Sequence, residues 1–422
     1  MKLASGFTKK LEGTIIVPGS KSHTIRAAVI AMLADGDSTI RNALNSGDGL
    51  SALSAIKAAG ARVEEKDTEW KVHGLGGKPK FKASKIDVGN SGTTLRFMAS
   101  MAAIQEKEIT FDGDGSLRTR QMGPLLKSLE ILGAKTKSMN GFAPLSVKGP
   151  ITPGSTSVSG KTSQYISSLL LACPLLEGDT KITIYDQLNE QPYVDVTLEW
   201  LDEQGIRYKR EGIKNFTVYG KQSYKPFSKM IPGDWSSAAF PLCAAAITGS
   251  EITVSGVDIN DSQGDKEIIE ILKKMGCKIN ISGMDVSIKA GNLKGREIDL
   301  NSTPDLLPIL SIVGCFASGK TVLKNVPQAR IKETDRIAVM CSELKKMGAS
   351  ITELEDGLLI ERSSLHGANV DGYKDHRVIM SLACAGMCAS GITEIKDAEH
   401  ISVTFPYFVE KMKKIGANFN EN

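Results

Sequence analysis

Six short polar stretches, each at the head of an apolar run, carry residue types suited to holding anions. They are Ser20-Lys21-Ser22-His23-Thr24-Ile25-Arg26, Asn90-Ser91-Gly92-Thr93-Thr94-Leu95-Arg96, Lys161-Thr162-Ser163-Gln164-Tyr165, Gly233-Asp234-Trp235-Ser236-Ser237, Ser302-Thr303-Pro304-Asp305 and Lys374-Asp375-His376-Arg377. The start of a helix offers free N–H groups and the positive end of its dipole, so it attracts oxyanions. A lone Ser or Thr there is ordinarily only a cap. These starts also carry Lys21, Arg26, Arg96, His376 and Arg377, set singly at the mouths of apolar helices rather than along a solvated face. Ser22 and Arg26 stand at i,i+4, which places hydroxyl and guanidinium on one helix face within reach of one oxyanion.

Two further stretches fit the same chemistry. Asp112–Gln121 (DGDGSLRTRQ) is a glycine-bearing loop after a strand and presents Arg118 and Arg120. Ile331-Lys332-Glu333-Thr334-Asp335-Arg336 reads as a helix opening, with Lys332 and Arg336 at i,i+4 and Glu333 between them. A solvated helix laced with salt bridges is the competing reading of that stretch.

The elements that must position these residues recur along the chain. Apolar helices end at Gly60, Gly133, Gly205, Gly276, Gly348 and Gly416, at gaps of 73, 72, 71, 72 and 68 residues, and each runs into a short strand. A second series ends at Gly36, Gly178, Gly249, Gly319 and Gly391, with Ile104–Phe111 in the remaining slot. One unit reads strand, helix, strand, helix, hairpin. In the first unit this predicts helices over Ser22–Ala34 and Asp48–Ala59, a strand over Ser38–Asn42, and a hairpin of Arg62–Glu65 with Glu69–His73. Only six residues follow Gly416, too few for a returning strand, so the N-terminal segment Leu11–Val17 is expected to complete the sixth unit. This predicts an α/β (α+β) chain of two domains, residues 20–232 and residues 1–19 with 233–422. Hinge crossings fall near 18–20 and 231–234, and closure between the domains is expected.

Composition narrows the function class. The chain has 422 residues, 41% apolar and 24% charged, and a net charge of +4 from 52 Lys+Arg against 48 Asp+Glu. That balance, with 5% aromatics, does not make a nucleic-acid surface. No apolar run has the length of a signal or membrane span. Seven cysteines, mostly in apolar helical runs, read as buried reduced thiols of a cytoplasmic protein, and no His or Cys cluster completes a metal site.

Taken together, PGSKSHTIRA (18–27), GNSGTTLRF (89–97), RIKETDR (330–336) and KDHR (374–377), supported by TSQY (162–165), TPD (303–305) and TFP (404–406), resemble the 5-enolpyruvylshikimate-3-phosphate synthase family of enolpyruvyl transferases. The resemblance runs from residue 15 to 408 in family order. It implies two domains of three βαβαββ repeats each around buried helices, an inverse barrel. It implies transfer of the enolpyruvyl group of phosphoenolpyruvate to the 5-hydroxyl of shikimate 3-phosphate, through a tetrahedral intermediate, with no metal or organic cofactor. Partners would be these two small molecules only, with no nucleic acid and no membrane, and a monomer is expected. Two phosphorylated carboxylates bring about four negative charges that the site must neutralise.

Carried over by position, the resemblance places Lys21, Ser22, Arg26, Thr162, Ser163, Gln164, Asp305, Gln328 and Lys332 on shikimate 3-phosphate. It places Lys21, Asn90, Gly92, Arg120, Gln164, Arg336 and Arg377 on phosphoenolpyruvate. Asp305 matches the base on the 5-hydroxyl, Glu333 the proton donor to the methylene carbon, His376 an assistant, and Lys21 a contact to both substrates. Three positions depart from the family pattern: Val403 stands for a common Lys, Glu190 for a common Ser, and Gln328 for a common Asn. An acid beside a phosphate repels it, so Glu190 is expected to turn away. The alternatives are the sister transferase acting on UDP-N-acetylglucosamine, whose loop Cys is missing from Asp112–Gln121, and an inactive anion-binding homologue.

Overall fold

All six glycines of the first series adopt left-handed backbone, with φ between 70° and 117°. That explains their spacing: each closes a helix in a conformation only glycine takes without steric cost. A computed structural model of the chain describes residues 1–421. It divides into two compact units, Gly19–Ile231 and Met1–Pro18 with Pro232–Asn422.

Each unit has its own core, built around three helices that are apolar nearly all round. In the first these are Lys21–Leu33, Gly92–Ala103 and Ser163–Ala172. In the second they are Trp235–Ile247, Leu307–Phe316 and His376–Gly386. The second helix of each repeat is amphipathic instead. Ile268–Met275 buries Ile268, Ile269, Ile271, Leu272 and Met275 and turns Glu270, Lys273 and Lys274 outward. Among the described residues each unit has three four-stranded sheets beside its helices. The sheet of Ser155–Val158, Thr180–Ile184, Asn215–Val218 and Tyr208–Glu211 shows the pattern. Its first two strands are parallel across a helical crossover, and the hairpin adds antiparallel strands.

The N-terminal segment departs from expectation. Leu3–Ser5, not Leu11–Val17, completes the sixth repeat, lying antiparallel between Thr393–Ile395 and Phe419–Glu421. Glu12–Ile16 runs parallel to Glu251–Ser255 and opens the fourth repeat. The reason is burial. An inner strand needs buried side chains, and Leu3 and Ser5 are both fully buried, whereas Glu12–Ile16 buries only Ile15 and suits an edge. In the Gly19–Ile231 unit, Ser228–Met230 plays the matching part beside Asp37–Arg41. All seven cysteines are free thiols and six are buried. Among the described residues no helix is long and apolar enough to cross a membrane.

Candidate functional site

In the Gly19–Ile231 unit the helix starts gather cations among hydroxyls and amides. Ser20 caps the Lys21–Leu33 helix, and Lys21 pairs with Asp48 at 3.2 Å. Asp48 sits in the first turn of the Gly47–Ala58 helix and is buried. One turn beyond Lys21, Arg26 is 2% exposed. Its Nε donates to Thr197 Oγ1 at 2.8 Å, Nη1 to the Ser22 carbonyl at 2.9 Å, and Nη2 to the Tyr193 carbonyl at 2.7 Å. The guanidinium lies 5.3 Å from the Phe97 ring centroid. Burial pulls its pKa down to about 9, because among the described residues no carboxylate pairs with it. Arg26 therefore also holds the first turn of its own helix, through the Ser22 carbonyl.

The second helix start supplies another such cation. Arg96 Nη1 donates to Gln164 Oε1 at 2.9 Å and Nη2 to the Gln121 carbonyl at 3.2 Å, with the guanidinium 5.4 Å from the Tyr165 centroid. Arg120 Nη2 donates to Asn90 Oδ1 at 2.8 Å and to Ser116 Oγ at 3.2 Å. Gly92 explains how both arginines fit. A Cβ there would overlap Arg96 Nη1 and meet Arg120 Nη1 at 3.1 Å.

At the third start Thr162 caps the Ser163–Ala172 helix. Its hydroxyl donates to Glu190 Oε2 at 3.2 Å, the Ser163 hydroxyl donates to the same oxygen at 3.1 Å, and the Ser163 N–H at 3.4 Å. Glu190 thus turns into this cradle rather than away from it. Repulsion by a phosphate acts only when a phosphate is present. Without one, three convergent donors take the nearest anionic oxygen.

The other unit handles charge differently. Arg336, 1% exposed, donates from Nε to Asp375 Oδ2 at 2.8 Å, from Nη1 to Asp305 Oδ1 at 2.7 Å, and from Nη2 to Glu333 Oε2 at 2.8 Å. Arg377 Nη2 reaches the second oxygen of Asp305 at 3.0 Å. Burial works against the Arg336 charge, but Asp375, Glu333 and Asp305 outweigh it and hold its pKa above the usual value. Asp375 caps the His376–Gly386 helix, accepting from the Arg377 N–H at 2.9 Å, and His376 is buried in the first turn.

Around Glu333 the backbone differs from expectation. The Arg336–Lys346 helix begins only at Arg336, capped by Asp335, and Lys332 lies outside it after the 3-10 turn Pro327–Ile331. Lys332 and Arg336 therefore do not share a helix face, because Asp335 takes the Ala338 N–H and starts the helix after them. Asp305 likewise sits in the 3-10 turn Pro304–Leu306 ahead of Leu307–Phe316. Gln328 is buried, and its Nε2 donates to the Asn301 carbonyl at 2.8 Å. Val403 ends the turn Ala398–Val403.

With this arrangement in view, the comparisons are direct. The family model for EPSP synthase (3-phosphoshikimate 1-carboxyvinyltransferase) matches residues 7–412. A 3-phosphoshikimate 1-carboxyvinyltransferase of Acetivibrio thermocellus is 50% identical over 413 residues, covering 97% of each chain. The chain belongs to the EPSP synthase family. A Methanococcus maripaludis relative of the same description is 41% identical, over 97% of this chain and 98% of its own. The solved EPSP synthase of Acinetobacter baumannii, 31% identical, superposes with a TM-score of 0.83 over 100% of this chain and 99% of its own. The two-domain, repeat-built inverse barrel of that family is the fold of this chain.

Three pairings among these residues are not visible in the motifs themselves. Asp48 holds Lys21, Arg96 holds Gln164, and Asp375 holds Arg336. Each is a partner across the fold, and the pairing itself leaves no mark in the sequence. The fourth helix start is not idle either: the Ser236 hydroxyl donates to Asp265, which lies in the field of Asp305 and Arg377.

Proposed function

We propose that this chain transfers the enolpyruvyl group of phosphoenolpyruvate to the 5-hydroxyl of shikimate 3-phosphate and releases inorganic phosphate. The observation that carries it is Arg26 and Arg96, two buried guanidiniums held by neutral partners. An isolated buried charge is costly, by several kcal/mol per ion. An anionic ligand offsets that cost, and both substrates are anions of the kind such cations hold.

From the Gly19–Ile231 unit we assign Ser22, Arg26, Thr162, Ser163 and Gln164 to shikimate 3-phosphate. Asn90, Gly92, Arg120 and Gln164 go to phosphoenolpyruvate, and Lys21 to both. From the other unit we assign Gln328 and Lys332 to shikimate 3-phosphate and Arg336 and Arg377 to phosphoenolpyruvate. Asp305 takes the proton of the 5-hydroxyl as its oxygen attacks C2 of phosphoenolpyruvate. Glu333 gives a proton to the methylene carbon, and His376 is assigned to assist that transfer. Loss of a methyl proton and of phosphate then restores the double bond. The geometry adds a condition. Both oxygens of Asp305 are engaged by Arg336 and Arg377, so the base is held until the carboxylate and phosphate of phosphoenolpyruvate draw those arginines to themselves.

The test is release of inorganic phosphate on mixing the protein with both substrates, against each substrate alone. Release only with the pair is the expected outcome. No release above the single-substrate blanks overturns the reading.

A further inference from the structure

Glu190 stands in an unusual place for an acid. It adopts left-handed backbone, φ 58°, ahead of the Gln191–Glu203 helix, a conformation that costs a non-glycine residue on the order of 1 kcal/mol. Its side chain is 2% exposed, and one carboxylate oxygen accepts from the Thr162 hydroxyl, the Ser163 hydroxyl and the Ser163 N–H. Those donors stand at the start of the Ser163–Ala172 helix, where the dipole favours an anion. They are also the donors assigned above to shikimate 3-phosphate. Phosphate and carboxylate oxygens seek the same N–H and O–H groups, and two anions cannot share them at hydrogen-bond distance.

We propose that Glu190 is a built-in competitor for the substrate phosphate, occupying the Thr162–Ser163 cradle in the free protein and swinging out when shikimate 3-phosphate binds. The identity of the displacing ligand rests on the function proposed above. Arg96 belongs to the same balance. Burial chiefly lowers its pKa, Tyr165 does most to restore it and the Glu190 charge adds a little, a part that an incoming phosphate takes over. Glu190 thereby tunes affinity for one substrate and leaves the other alone.

The experiment compares the full chain with Glu190→Gln, which keeps size and an acceptor oxygen but drops the charge, and with Glu190→Ser, which removes the group. Calorimetric titration with shikimate 3-phosphate, and separately with inorganic phosphate, is expected to show binding at least fivefold tighter in both variants. The KM for shikimate 3-phosphate should fall in step, with kcat and the KM for phosphoenolpyruvate within twofold. Equal or weaker binding of both probes in Glu190→Gln overturns the proposal and makes Glu190 a support for the donors. Should the unaltered chain release no phosphate from the substrate pair while inorganic phosphate still binds more tightly to the variants, the function above fails and the competitor role stands.

Discussion

In the Gly19–Ile231 unit the buried guanidiniums of Arg26 and Arg96 rest on hydroxyls, carbonyl oxygens and ring faces. In the other unit Arg336 is locked to Asp305, Glu333 and Asp375. The same repeat architecture thus presents charge in two ways. Cations with neutral partners retain their pull on an incoming anion. Cations matched to carboxylates have their charge already balanced and fix those acids in place. On the function proposed above, the first arrangement serves binding alone, and the second serves binding and proton transfer together.

The contrast breaks most visibly if one arginine is removed from each side. Arg336→Met leaves Asp305, Glu333 and Asp375 without their shared cation, and orphaning a buried pair costs about 3–5 kcal/mol. Arg26→Met orphans far less. The Tyr193 carbonyl keeps the Thr197 hydroxyl at 3.2 Å and the Ser167 hydroxyl at 3.4 Å, and the methionine covers the face of Phe97. Calorimetric melting should place Arg26→Met within about 1 kcal/mol of the parent, with anion binding lost. Equal destabilisation by the two substitutions would end the distinction.

Next in size is Asp305→Asn, which keeps shape but can neither accept the hydroxyl proton nor balance Arg336 and Arg377. At least a hundredfold loss of kcat, about 3 kcal/mol of barrier, is expected with the fold retained. Normal turnover would remove Asp305 as base. Gly92→Ala follows. Its methyl would push Arg96 and Arg120 apart, and a KM for phosphoenolpyruvate raised roughly tenfold, about 1.4 kcal/mol, is the expected result. An unchanged KM would mean Arg120 does not set phosphoenolpyruvate affinity.

Whatever has a local signature is legible in the sequence. Left-handed caps demand glycine, so Gly60, Gly133, Gly205, Gly276, Gly348 and Gly416 mark the repeat by their spacing alone. Helix starts demand small polar residues, so the candidate cation and hydroxyl positions can be read in order. Partnerships have no local signature. Asp48 for Lys21, Arg96 for Gln164, and Asp305 and Asp375 for Arg336 come from separate elements of the fold, and only Glu333, three residues before Arg336, is a local partner. Leu3–Ser5 gives no signal because three residues carry no periodicity. Glu190 runs against expectation because repulsion is reckoned against a bound phosphate, whereas the free cradle draws in its carboxylate.

A further expected effect concerns pH, and it tests whether a raised carboxyl is confined to one unit. In the Gly19–Ile231 unit the acids that shift go down: Glu108 by its bond to Lys137, Asp112 by Arg118, Glu211 by Lys209. In the other unit Glu399 and Glu410 also go down, by the N-terminal amine and by Lys414, but Asp265, 1% exposed and bonded to the Ser236 hydroxyl, goes up to about 7. Burial is the main cause, the Asp305 charge adds to it and Asp234 adds a little, while Arg377 and the Ser236 bond oppose it. The unfolded carboxyl titrates near pH 4, so between about 4 and 7 the folded chain holds a proton that the unfolded chain has lost. Asp265 therefore contributes stability at low pH that declines as pH rises through that window and levels off above about 7. Asp265→Asn cannot ionise. Its melting temperature should track the parent near pH 4.5 and exceed it by an increasing margin toward pH 7.5. Parallel curves across that range would mean the Asp305 cluster accepts another negative charge without cost, and the contrast between the two units would then lie in binding alone.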